Sequence, residues 1–186
     1  MKGYLELEKG YIEEDFVDFN QKKYAIVFNI ASILIAFAIF FKFRIQSCPI
    51  FTISSIIFIA IGIFVFFTLH ELIHGFFIWL FSKKRANYKI SMFYASASAQ
   101  DRYFDRFSYI IIALSPVIII SLLLIFLLNT LSLNLYNGIL LVLALNVSGA
   151  IGDFYITIIT LGKNKDTLIR DEGEKMHFYT KNPNKQ

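Results

Sequence analysis

Charge is scarce in this chain: Asp, Glu, Lys and Arg make up 17% of its 186 residues, against 56% hydrophobic. An ordinary soluble domain, with about a quarter of its residues charged, is excluded by that balance. Cysteine is rarer still. The single Cys48 rules out an intramolecular disulfide and a cysteine-built structural zinc site, and it is given no role. No arginine-rich, aromatic-interleaved stripe accompanies the net charge of +4, which argues against nucleic acid as a partner. A secretory signal is also missing, because about twenty mixed polar residues precede the first apolar run and no small-residue cleavage site follows it. The first helix is therefore expected to remain in the mature protein. There is no internal repeat and no low-complexity domain.

Long apolar runs are what the chain has instead. Four of them, 24–41, 51–81, 107–128 and 135–161, are near or above the ~20 residues that a membrane-crossing helix needs. The expected fold is an all-α integral membrane protein of four transmembrane helices. A short strand or hairpin should lie between the second and third, where Tyr94 to Ala99 alternates small polar and small apolar residues. With the N-terminus inside, the segments 1–23, 82–106 and 163–186 hold sixteen Lys/Arg and the outer loops hold only Lys42 and Arg44, so both termini are expected in the cytoplasm. The organisation read from this is a cytoplasmic N-terminal segment 1–23, a four-helix domain 24–162, and a polar cytoplasmic tail 163–186 expected to fray. Residues 1–23 alternate loosely enough for a short surface helix or strand.

Local signals refine the spans. Pro49 is expected to open the second span at a favourable first-turn position. That span is long enough to tilt, to bend near Gly62 or to protrude into the cytoplasm. Pro116 frees a carbonyl in the third span and kinks it. The small residues 149, 150 and 152 of the fourth should let another helix approach closely.

Within these runs ionisable side chains are almost absent. From Phe51 to Phe81 and from Phe107 to Leu161 they are only His70, Glu71, His74 and Asp153. Each costs a few kcal/mol or more at membrane depth, so such residues are rare and usually functional. His70-Glu71-Leu72-Ile73-His74 has the H-E-x-x-H spacing of zinc metalloproteases. At 3.6 residues per turn the two histidines leave one helix face about a turn apart and can converge on one ion. Glu71, beside them, is placed to take a proton from water as general base.

A catalytic zinc takes three protein ligands and keeps one position open. Asp153 is the expected third. The second and fourth spans run in the same direction, and His74 lies nine residues before Lys83 as Asp153 lies ten before Lys163, about 13 to 15 Å from the flanking lysine in each case. Asp101, Asp105, Asp166 and His177 are the other candidates, in segments where charge is cheap. Asn146 would either orient substrate and stabilise an oxyanion or bond a neighbouring helix. The competing readings of the whole cluster are a buried polar network or proton relay that fixes helix packing without any metal, and a non-catalytic metal-binding or proton-relay component of a transport or signalling complex.

HELIH in one span, ASASAQDRYFDRFSYIIIALSP leading through the next and NVSGAIGDFY in the last together resemble small bacterial membrane proteins, the putative zincin peptidases, which are similar in plan to site-2 proteases. The likeness covers roughly residues 60 to 165. It implies His70, His74 and Asp153 as ligands of Zn2+ and Glu71 as base. The expected activity is intramembrane proteolysis of membrane-bound or juxtamembrane polypeptides in the lipid bilayer of a cell membrane, with Tyr94 to Ala99 serving either to hold extended substrate or as a linker.

Overall fold

The computed structural model describes residues 3–4, 7, 9–43, 53–90, 95–130 and 133–182; Cys48, Pro49 and Tyr94 lie outside them. The elements in order are β1 (Gly3–Tyr4), β2 (Tyr11–Asp18), α1 (Lys22–Phe43), α2 (Ile53–Ser82), β3 (Asn87–Ile90), β4 (Ala95–Ser98) and β5 (Tyr103–Asp105). They continue with α3 (Arg106–Thr130), α4 (Leu133–Gly149), α5 (Ile151–Gly162), β6 (Leu168–Asp171) and β7 (Lys175–Lys181). The chain forms two compact units, one of Met1–Ala25, Glu71–Ser115 and Asp153–Gln186, the other of Ile26–His70 and Pro116–Gly152.

Among the described residues, four helical segments are long and apolar enough to cross a membrane: Lys22–Phe43, Ile59–Ser82, Arg106–Thr130 and Leu135–Gly162. Helix α1 has no buried residue, and Leu34 and Phe41 are 64% and 81% exposed. A helix apolar on every side belongs in hydrocarbon rather than in water. Helix α2, at 1.5 Å per residue about 45 Å long, runs unbroken through Gly62. It stops at Lys83, whose φ of 57° is left-handed, with the Lys83 N–H donating to Trp79 O at 2.7 Å and Ser82 Oγ donating to Ile78 O at 2.7 Å. In the second unit, polar groups bond across helices. Ser32 Oγ donates to Ser148 O at 2.7 Å and Tyr136 OH to Phe43 O at 2.8 Å.

The expectation of an all-α protein is corrected by a five-stranded antiparallel sheet of order β1-β5-β6-β7-β2. It joins the segment before α1, the connection between α2 and α3, and the segment after α5. The tail expected to fray supplies its longest ladder: β2 pairs with β7 from Tyr11↔Lys181 to Asp18↔Lys175, with a register shift between Glu13 and Asp15. Fully buried Phe104, Ile169 and Phe178 come from β5, β6 and β7. They pack in one core with Ile78 of α2, Ile112 and Ala113 of α3 and Ile156 of α5. Each large apolar side chain so buried contributes about 1.5–3 kcal/mol, which is why a polar tail with only alternate apolar residues is held.

The strand expected at Tyr94 to Ala99 is present as β4, Ala95–Ser98, in a two-stranded sheet with β3. The fourth span is not one helix but two, α4 and α5, divided at Ala150. Gly149 and Gly152 flank that division. A Cβ at either would meet nothing within 4 Å, so they do not serve the close helix approach expected of them.

Candidate metal centre

The helix restart at Ile151 puts Asp153 in the first turn of α5, where unpaired backbone N–H groups favour a carboxylate. The HELIH motif lies on the straight run of α2, with His74 buried and His70 and Glu71 half-buried. The His74 and Asp153 side chains meet, Nε2 lying 3.5 Å from Oδ1. On the other side of the ring, His74 Nδ1 is 2.8 Å from the Ile112 carbonyl oxygen. A carbonyl only accepts, so Nδ1 carries the hydrogen and a neutral imidazole presents a bare Nε2 lone pair to the Asp153 oxygen.

Two facing acceptors suit a cation between them. Zinc with bonds of about 2.0–2.1 Å in tetrahedral geometry holds its donors roughly 3.4 Å apart, close to the 3.5 Å seen here. His70, one turn earlier on α2, completes the set: single donor atoms of His70, His74 and Asp153 all lie within 4.8 Å of one another. Two imidazole nitrogens and one carboxylate oxygen are a donor set of the borderline character zinc takes, with a backbone carbonyl fixing one ring from behind. The residues fit the ion.

The other sequence candidates lie outside this group. Asp105 caps α3, its carboxylate accepting from Ser108 N–H at 2.9 Å and Ser108 Oγ at 2.7 Å. His177 lies on β7 between Glu13, at 3.0 Å, and Glu172, at 3.7 Å. Asp101 and Asp166 are exposed. Asn146 donates to Ser121 Oγ at 3.1 Å and to Val117 O at 3.4 Å, both on α3, which is the helix-bonding alternative.

Two groups near the motif carry no signal in the sequence. Tyr88 of β3 lies over Gly75, where an added Cβ would come within 1.8 Å of its hydroxyl oxygen. Burial and the nearby Glu71 carboxylate push its phenol up. Asp171, from the end of β6, is buried and accepts from Tyr109 OH at 3.0 Å and from Gly173 N–H at 2.7 Å. Burial raises its carboxyl to about 6, against the opposing effect of those hydrogen bonds and of His74. No sequence spacing links residue 88 or 171 to HELIH; only the strand pairings bring them there.

Residues 63–168, more than half of the chain, match the model of a family described as Putative zincin peptidase. The chain belongs to this family. The stretch that carries the zincin peptidase match includes His70, Glu71, His74 and Asp153 together with the Ile112 carbonyl, and ends on the first residue of β6. No curated protein and no solved structure matches the chain significantly.

Proposed function

We propose that this zincin peptidase is a membrane-embedded zinc metalloprotease that hydrolyses peptide bonds in membrane-bound or juxtamembrane polypeptides. The observation that carries the reading is the convergence of His70, His74 and Asp153, with His74 Nε2 3.5 Å from Asp153 Oδ1. His70, His74 and Asp153 hold the ion. When bound, zinc acts as a Lewis acid that acidifies water and polarises a carbonyl. Glu71, adjacent to His70 on α2, takes the water proton on a carboxylate oxygen and passes it to the leaving amine nitrogen.

Substrate presentation follows from the hairpin. Among the described residues β3 and β4 pair only with each other, so an extended polypeptide can add along an edge of this sheet. The packing of Tyr88 on Gly75 ties the hairpin to the helix that carries the motif. An extended scissile segment exposes the carbonyls that a helical one hides. The five-stranded sheet supports placing both termini and the α2–α3 connection on one side of the bilayer, and the sixteen Lys/Arg of those segments make that side the cytoplasm.

The test is Glu71→Gln, which removes the proton acceptor without removing a ligand. Purified variant should bind zinc as the parent does, while the new peptide N-termini that the parent generates in membranes fall by about 10²–10⁴ in rate. Unchanged cleavage by this variant would take Glu71 out of the mechanism, whereas a parent that binds zinc yet generates no new N-termini would favour a metal-binding component without hydrolytic activity.

A further inference from the structure

The Ile112 carbonyl that receives His74 Nδ1–H is not an arbitrary one. In an α-helix the carbonyl of residue 112 accepts the N–H of residue 116, and residue 116 is a proline inside α3 with no N–H to give. His74, Ile112, Ser115 and Pro116 are all buried, and an acceptor left unpaired in such surroundings is costly. Both of its lone pairs are taken by side chains: His74 Nδ1 donates at 2.8 Å and Ser115 Oγ at 3.2 Å.

We propose that Pro116 is a positioning residue for the metal ligand His74, its missing N–H reserving the Ile112 carbonyl to hold the imidazole in the tautomer and orientation that turn a bare Nε2 toward the ion. This rests on the zinc reading above. The proline's effect is specific because the alternative tautomer, with hydrogen on Nε2, offers the metal no lone pair and leaves the carbonyl short of a donor. Were residue 116 to carry an N–H, three donors would compete for two lone pairs. The helix donor, aligned by the backbone, would compete with His74 Nδ1–H for the carbonyl and loosen its hold on the ring. Removing the Ser115 hydroxyl, by contrast, frees a lone pair and leaves the His74 bond in place.

Pro116→Ala restores the N–H, and zinc affinity measured by chelator competition should fall about tenfold, the lower end of what losing an outer-shell partner costs. The visible absorption of the cobalt-substituted protein should change with it, reporting an altered donor geometry. Placing the α-hydroxy analogue of alanine at position 116 removes the N–H again without rebuilding the ring, and should bring affinity and spectrum back toward the parent. Ser115→Ala should leave both nearly unchanged. Parent-like affinity in Pro116→Ala, or an ester variant that stays as weak as the alanine one, would overturn the positioning role while leaving the zinc site intact. A parent that takes up no zinc would overturn the metal reading itself, and this inference with it.

Discussion

Asp171 allows a charge-burial argument to be tested by one isosteric change, Asp171→Asn. Asp171 is 8% exposed, and burial raises the pKa of its carboxyl from 3.8 to about 6. Because the folded-state value lies above the unfolded one, the folded protein binds the proton more tightly. The contribution of this group to stability is then fully present below about 3.8 and is lost as pH rises through about 6. A difference of about two units at 1.36 kcal/mol each makes the charged, buried carboxylate cost about 3 kcal/mol at neutral pH relative to acid. The asparagine variant has no such titration, but its amide accepts at one oxygen only, so it forfeits one of the bonds from Tyr109 and Gly173, about 1 kcal/mol. In metal-free protein in detergent, the unfolding free energy of the parent should therefore gain on that of the variant by about 2.5 kcal/mol between pH 7 and pH 4. Taking the difference between two proteins cancels the other carboxylates. A difference that stays flat across that range would refute the burial argument, and one that moves the opposite way would mean the hydrogen bonds outweigh desolvation.

Two further outcomes are expected. In Gly75→Ala the new methyl enters the space of the Tyr88 hydroxyl; because Tyr88 is half exposed it swings outward, so stability changes by less than about 1 kcal/mol, zinc is retained, and cleavage of an extended substrate drops. Full cleavage in this variant would separate the hairpin from substrate binding. A reporter active only when exported, fused after Gln186, should stay silent, and a signal from it would overturn the cytoplasmic placement of the sheet.

The candidate ligand group was legible in the sequence for a reason of solvent. His70, Glu71, His74 and Asp153 stand out because hydrocarbon tolerates so few ionisable groups, and nothing nearby dilutes them. The spans were legible for the same reason. The sheet was not: β6 is four residues long and β7 reads KMHFYTK, with lysines at both ends, and its partner β2 lies about 160 residues away in a segment equally rich in charge. No local pattern announces a pairing at that distance. The proline at 116 was visible as a break in hydrogen bonding, yet the recipient of the freed carbonyl was not, because His74 sits 38 residues earlier on another helix. Likewise Gly149 and Gly152 were readable as small but not as flanks of the division at Ala150, which places Asp153 at the start of a helix.

Zinc stoichiometry on purified protein decides whether His70, His74 and Asp153 bind one ion together. One zinc per parent chain is expected, with loss of tightly held metal in His74→Ala and a weakened site in Asp153→Asn whose fold is unchanged. A full, tightly bound equivalent of zinc in Asp153→Asn would contradict this shared ligation.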